Sequence, residues 1–391
     1  MSGVSYGDRT HRLAREAVQR KWSGTYGPVR QVDPILLLAS LALSAFGLFM
    51  IFSATHHSLA AQGAETFFFV NRQLIALGLG LVGMVAVCAF DYRLYRAWAP
   101  VFYVVAVVML IVTAATGETV NASRAWIVVG GFQFQPAEIA KPALILMLAA
   151  LFQERREEAL GLRALIEAVV IAAVPIGLIL LQPDLGTAIV FVAITFGVLL
   201  LARVRVRYMV ALGVIGVLAM VGAHQLNVLK EYQVARLTTF LGAETDLQGS
   251  DYNVNQAQIA VGSGQFSGQG YLQGSQTALS YVPENHTDFI FTVVGEELGF
   301  LGAGLVLGLF GLLLWRAMRT AATSRDTFGT LICAGVISVF AFQLFINVGM
   351  SIGIMPVTGL PLPFVSYGGT SLIGTFLMIG LLQNVHMRRH S

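Results

Sequence analysis

Residues 34–54 read PILLLASLALSAFGLFMIFSA, with no charged side chain from end to end. At 1.5 Å per residue a helix of that length covers about 30 Å, the thickness of a bilayer's hydrocarbon core. Working outward, further apolar runs lie at 73–90, 97–116, 136–153, 164–181, 185–202, 207–226, 296–315, 328–350 and 367–387. The runs are continuous rather than alternating, which excludes an outer-membrane barrel built from strands of about 10 residues with one apolar face. Composition agrees: the 391 residues are 56% hydrophobic and 12% charged, about half the charge of a soluble domain. Mean hydropathy is +0.73. The expected fold is an all-α polytopic membrane protein with about ten transmembrane helices.

Charge sets the expected orientation, because Lys and Arg gather in cytoplasmic loops. With the N-terminus inside, 19 of the 24 basic residues fall in cytoplasmic segments. These are the N-terminal tail, the connections holding Arg93 and Arg96, Arg155 to Arg163, Arg203 to Arg207 and Arg316 to Arg325, and the C-terminal Arg388 and Arg389. Miscounting by one span would break this alternation, so both termini are expected to be cytoplasmic. Residues 1–33 form an Arg-rich cytoplasmic tail, too long and too charged for a cleavable signal peptide. Residues 34–387 form the membrane domain and 388–391 a cytoplasmic end. One long extracytoplasmic loop, about 227–295, joins spans 7 and 8. It is rich in Gly, Gln and Ser, yet it carries Tyr252, Ile259, Phe266, Tyr271 and Leu272, enough apolar surface to pack on the membrane domain. Cys88 and Cys333 lie inside apolar runs and read as packing residues rather than a disulfide or metal pair.

The five basic residues left on the outer side are Arg72, Arg124, Lys141, Lys230 and Arg236. Arg124 lies in NASRAWIVVGGFQFQPAEIAK, residues 121–141, where Pro136 suits the first turn of a helix. Glu138 and Lys141 are three apart and share a helix face. Lys141 falls inside the membrane, where an ionisable residue is costly and faces a cavity or a partner. The alternative is a local pair that only fixes the helix.

A second cluster is YVPENHTDFIFTVVGEELGFLG, residues 281–302. If the helix runs unbroken from Asp288 to Trp315 it covers about 40 Å, some 10 Å more than the hydrocarbon. Asp288 then stands at headgroup height, where a carboxylate meets the head of a lipid substrate. The competing role is a helix N-cap. Glu284 and His286 are within reach and equally ambiguous. Glu296 and Glu297 read as structural, bonding to loop backbone or Arg. In NVGMSIGIMPVTGLPLPFVSYGGTSLIG, residues 347–374, Pro356, Pro361 and Pro363 forbid a continuous helix. Irregular backbone at membrane depth must be buried in protein or line a cavity. The SYGGTS turn either offers N–H groups to phosphate or lets helices pack closely. In QPDLGTA, 182–188, Pro183 and Asp184 read as a tight turn.

Taken in order, ASRAW with QPAEIAK, QPDLGTA, AVGSGQFSGQGYLQGSQ, YVPENHTDFIFTVVGEELG and NVGMSIGIMPVTGLPLPFVSYGGTSL resemble the SEDS family of shape, elongation, division and sporulation proteins. The resemblance covers 34–387. Its QPDLGT wording and the Met after Asn347-Val348-Gly349 look like the rod-elongation branch, with the division branch as the close alternative. The resemblance implies a peptidoglycan glycosyltransferase of the bacterial inner membrane that polymerises lipid II at the outer leaflet. It makes Asp288 the key acidic residue, and the partner a class B penicillin-binding protein. Membrane lipids surround the chain and no nucleic-acid partner is expected.

The residues are compatible with that chemistry. Glycan extension needs a base for the acceptor hydroxyl, and Asp288 has the right type. A pyrophosphate leaving group needs cations, and Arg124 and Lys141 are the candidates, with Lys230 and Arg236 behind them. Glu138, Glu284 and His286 complete the expected substrate-binding set. No dedicated metal ligands are seen and no cofactor is assigned; a divalent cation, Mg or Mn, stays open. A lipid II flippase is the competing function. Carriers place carboxylates near the midplane, whereas here the charges outside cytoplasmic segments gather on the outer half. A non-catalytic scaffold is the third reading.

Overall fold

The computed structural model describes residues 31–120, 123–129, 132–153, 161–225, 250–279 and 281–389. The long helices are α1 (Pro34–Ala61), α2 (Phe68–Ala89), α3 (Tyr92–Thr116), α4 (Pro136–Gln153), α5 (Leu162–Leu181), α6 (Leu185–Leu201) and α7 (Val206–Gln225). After α8 (Ser250–Ser263) and the single turn α9 (Ser275–Ala278) come α10 (Ile290–Ala322), α11 (Thr327–Ser351) and α12 (Gly369–Met387). A helix therefore stands at each of the ten expected positions. Among the described residues eight are long and apolar enough to cross a membrane, while Leu185–Leu201 and Val206–Gly216 are shorter apolar helices.

The all-α expectation needs one correction. The connection after α3 holds a three-stranded antiparallel sheet, β1 (Glu118–Val120), β2 (Ser123–Val129) and β3 (Phe132–Phe134). Val129 pairs with Phe132, and the sequence between them reads Gly-Gly. Gly-Gly between two β-branched or aromatic runs is a hairpin signature, and that signal is present in the sequence.

α4 and α12 are the most enclosed helices, and α2 and α3 expose most of their surface. Small residues let the central helices approach. A Cβ on Gly374 would sit 3.0 Å from the Glu138 carbonyl, and one on Gly380 3.1 Å from Met84. Close packing is thus what these α12 glycines provide. At the other end of the bundle Asp33 caps α1 through Ile35 and Leu36, and Arg316 of α10 pairs with it at 2.6 Å. Gln383 of α12 donates to the Asp33 carbonyl and accepts its N–H. Three helices are tied at one fully buried residue, two through its carboxylate and α12 through its backbone.

α10 is two helices, and the straight 40 Å path from Asp288 to Trp315 does not exist. Gly299 has φ 61° and ψ −155° inside it, a conformation essentially reserved for glycine. The break exposes backbone groups that must be paired. Phe300 and Leu301 donate to the carbonyls of Gln265 and Phe266 at 2.9 and 3.2 Å. The carbonyls of Glu296 and Glu297 accept from Gln269 and Gly270, both at 3.0 Å. The glycine-rich loop therefore completes the helix it breaks. The portion after the break, 300–322, is about 34 Å long by itself, enough to cross the hydrocarbon. A Cβ on Gly299 would lie 2.8 Å from both the Gly264 carbonyl oxygen and the Phe266 carbonyl carbon. Gly299→Ala is expected to destabilise by about 1–3 kcal/mol from strain alone, read as a lower thermal midpoint in detergent.

The loop docks differently from its apolar pattern. Ala257 and Ala260 of α8 are buried with Val282, Phe289 and Met350 in a small separate core. Ile259 and Phe266 remain more than half exposed, and Tyr271 is also exposed. Glu296 accepts from the N–H groups of Gln276 and Thr277 at 2.7 and 3.0 Å. Glu297 accepts from Ser53 of α1. Both carboxylates are structural, as their position suggested.

Candidate active site

Pro136 opens α4 and sets Glu138 in its first turn. One turn on, Lys141 Nζ lies 2.7 Å from Glu138 Oε1, and the two side chains are only 1% and 3% exposed. Glu138 Oε2 is buried with no hydrogen-bond partner among the described residues. The pair is therefore completely enclosed, and Lys141 already has a counter-ion. Asp184, the N-cap of α6, accepts from the Thr187 N–H at 2.9 Å and from Gln135 Nε2 at 3.2 Å. The turn role expected of QPDLGTA is real, and it also brings a carboxylate next to the pair. Burial pushes the Asp184 carboxyl up from its ordinary value, Glu138 adds to that, and Lys141 opposes it.

Asp288 lies in the turn before α10. The Glu284 carbonyl accepts the N–H groups of Thr287, Asp288 and Phe289 at 3.1–3.2 Å, and Glu284 takes φ 52° to close that turn. The N-cap of α10 is Phe289, with no side-chain cap bond. The N-cap position therefore falls one residue beyond Asp288. Its Oδ2 faces Gly359, where a Cβ would come within 3.4 Å. Gly359 has φ 74° and belongs to the irregular segment 352–368. That segment dips into the core: Leu360, Leu362, Phe364 and Val365 are all at most 2% exposed. It is irregular backbone buried in protein, as its prolines demanded. On its other side the Thr358 carbonyl presses on Gly186 in the first turn of α6, and Thr358 Oγ1 is buried and unpaired among the described residues. The segment thus bridges the Asp184 turn to Asp288.

Beside Asp288 stands an aromatic cluster. The His286 ring lies 4.8 Å from Phe69 and 5.7 Å from Tyr367, and Phe69 meets Tyr367 edge-on at 4.9 Å. The Tyr367 N–H donates to the His286 carbonyl at 2.9 Å. Arg72, one turn along α2 from Phe69, stacks its guanidinium 4.3 Å above Phe68, and its charge acts on the Tyr367 hydroxyl, opposing the upward push of burial on that group. No carboxylate among the described residues forms an ion pair with Arg72.

Burial lowers the His286 pKa, with Glu284 opposing. A histidine held neutral by the fold binds fewer protons folded than unfolded, so stability is full above about pH 6.5 and is lost as pH falls toward the folded value. Thermal midpoints measured from about pH 7.5 down to pH 5 are expected to fall less for His286→Gln than for the parent chain.

Of the expected residues the structure brings Asp288, Glu284 and His286 together in one turn, and Glu138 and Lys141 together on α4. Arg124 lies on β2, whose Ser123 pairs with Val120; its side chain lies outside the described part, as do Lys230 and Arg236. Among the described residues no group of three or more His, Cys, Asp or Glu is placed to hold a metal ion. The sequence reading passed over three contributors. Arg72 was counted as an outer-side cation and given no role. Gln73, 1% exposed, donates to the Ser366 carbonyl and accepts from the Gly368 N–H at 3.1 Å each. Asn347 of α11 enters the sequence analysis only as part of the family wording. Its only early signal was an amide deep in an apolar run, which requires partners.

Comparison with known proteins gives a consistent picture. The FtsW, RodA and SpoVE family of cell cycle proteins matches residues 34–391. Stage V sporulation protein E of Bacillus subtilis is 37% identical, over 90% of this chain and 96% of its own. Peptidoglycan glycosyltransferase MrdB of Escherichia coli is 35% identical, over 92% and 94%. Among solved structures, a chain from a study of "Structural coordination of polymerization and crosslinking by a peptidoglycan synthase complex" superposes with TM-score 0.76 at 30% identity, covering 92% of this chain and 99% of that one. The rod shape determining protein RodA of Thermus thermophilus gives 0.67 at 29% identity, covering 92% and 98%. With the family matched along the whole membrane domain, the chain belongs to the SEDS (FtsW/RodA/SpoVE) family and is a multi-pass protein of the bacterial inner membrane.

Proposed function

We propose that the chain is a peptidoglycan glycosyltransferase that polymerises lipid II at the outer leaflet, with Asp288 as its general base. The observation that carries the reading is the place of Asp288 in the turn before α10, with its carboxylate turned to the Gly359 bend that follows α11. Asp288 takes the proton of the acceptor sugar hydroxyl as that oxygen bonds to the anomeric carbon of the donor. The bond from that carbon to the pyrophosphate oxygen breaks, and undecaprenyl pyrophosphate leaves with the electron pair. Charge growing on the leaving group needs donors already in place. Arg72 and the Tyr367 hydroxyl suit that task, with Arg124, Lys230 and Arg236 as the further cations. Lys141, buried and neutralised by Glu138, is better suited to holding α4 in place than to carrying pyrophosphate charge.

The ten-span topology, with both termini cytoplasmic and the active site outside, follows from the distribution of 19 of 24 basic residues. The partner is a class B penicillin-binding protein. The neighbouring solved chain from a peptidoglycan synthase complex supports a polymerase working beside a cross-linking enzyme. We assign the cellular role to elongation on the QPDLGT wording. Rescue of a strain lacking its rod-elongation polymerase, but not of one lacking its division polymerase, is the expected result.

The biochemical test uses purified full-length protein, its transpeptidase partner and labelled lipid II in detergent. Glycan polymer is expected. A flippase would leave lipid II unchanged, there being no membrane to cross, and absence of polymer with the partner present would overturn the assignment.

A further inference from the structure

Asn347 carries a role that the catalytic reading does not supply. It lies in the last turns of α11 and is fully buried. Its Nδ2 donates at 2.7 Å to the carbonyl of Asp288 and at 2.8 Å to the carbonyl of Leu360. The amide cannot be turned the other way, because both partners are acceptors and only the NH₂ end can donate to them. Its two N–H bonds are thereby both used, while Oδ1 is buried without a partner among the described residues. An enclosed acceptor left unpaired is unfavourable, so retaining an amide here needs a compensating task.

The task is visible in what the two carbonyls belong to. One is the backbone of Asp288 itself, in a turn that the Glu284 carbonyl holds from behind. The other follows Gly359, the residue that faces the Asp288 carboxylate. A single side chain thus fixes the spacing between the carboxylate and the wall it looks onto. That wall has no regular secondary structure of its own to fix it. Ser351 adds a bond from its hydroxyl to the Asn347 carbonyl at 2.9 Å, which ties Asn347 into the end of α11.

We propose that Asn347 is a positioning residue for the transferase reaction, holding Asp288 and the 358–360 bend at the separation that the sugar hydroxyl requires. The proposal rests on Asp288 acting as the base. Asn347 touches neither substrate nor reacting atoms, so its loss acts on the chemical step rather than on lipid II binding. Misplacing a catalytic group by about 1 Å can cost roughly 10²-fold in rate.

The test compares parent, Asn347→Ala, Asn347→Ser and Asn347→Asp in the complex with the transpeptidase, with rates expressed per folded molecule. For Asn347→Ala, kcat is expected to fall about 10- to 100-fold while KM for lipid II stays within about twofold. Asn347→Ser keeps one donor on a shorter arm and is expected to fall in between. Asn347→Asp, which turns an acceptor toward two carbonyls, is expected to be at least as impaired as Asn347→Ala. A purely structural role would lower the thermal midpoint and the yield but leave kcat of the folded fraction unchanged. That result for either Asn347→Ala or Asn347→Ser, or a loss carried by KM alone, would overturn the proposal. If Asn347→Ala gives no folded protein, Asn347→Ser decides by the same criterion. Failure here is separable from failure of the catalytic reading: an active Asp288→Asn enzyme removes the base, whereas an inactive Asp288→Asn beside fully active Asn347 variants removes the clamp alone.

Discussion

Asp288→Asn is expected to lower lipid II polymerisation by about 10²- to 10⁴-fold, the range for removing a positioned general base. The substitution keeps the shape of the side chain and leaves the backbone bonds of the turn untouched. Asn347 still donates to the residue's carbonyl, and the Glu284 carbonyl still accepts its N–H. The α10 N-cap is Phe289, so no helix start is lost. Thermal stability and capture of the transpeptidase should therefore match the parent, with the loss in kcat. The measurement is polymer length and rate on gels with labelled lipid II, alongside co-purification of the partner. A variant that polymerises at the parent rate would mean that another group takes the proton, or that the chain is a scaffold for a different polymerase.

The second large effect concerns the buried pair on α4. Lys141→Met leaves Glu138 enclosed without its counter-ion and is expected to cost about 3–5 kcal/mol of stability. The helix concerned is one of the two most enclosed in the bundle, so neither water nor another side chain reaches in cheaply to compensate. Replacing both partners, Glu138→Leu with Lys141→Met, removes both charges together and should restore most of the thermal midpoint. The double variant separates the two roles that residue spacing leaves open. If the pair only fixes the helix, activity returns with stability. The proximity of Asp184 and the unpaired Glu138 Oε2 argue for the other result, a stable protein that polymerises poorly. Recovery of parent activity in the double variant would return the pair to a structural role.

Much of the architecture was readable from local patterns. Hydropathy over a window of helical length is a property of consecutive residues, so the ten helices stand where the apolar runs lie, with ends shifted by a few residues. The prolines of 356–363 correctly announced irregular backbone within the bundle. The small sheet carries little signal because a strand of three residues has almost no periodicity, although a Gly-Gly pair in the sequence between Val129 and Phe132 is a hairpin signature. The break in α10 was missed for a different reason. A glycine in a helical pattern is usually tolerated, and whether it bends the chain depends on what approaches it. Here the backbone of 264–268 approaches, from a segment whose composition alone would also suit a linker.

The site divides along the same line. Sequence alone determined that a carboxylate at position 288, Glu138 and Lys141 one helical turn apart on one face, and a proline-broken segment belong to a membrane protein, because hydropathy, residue type and spacing act over a few neighbouring residues. Tertiary structure decided what each of these groups meets. Lys141 is neutralised within its own helix, the Asp288 carboxylate faces Gly359, and the Asp288 carbonyl is held by a donor 59 residues away. Such partners cannot be inferred from sequence neighbours. A buried polar group must be satisfied by whatever the packing brings within about 3 Å, and that is settled only when distant helices close around it.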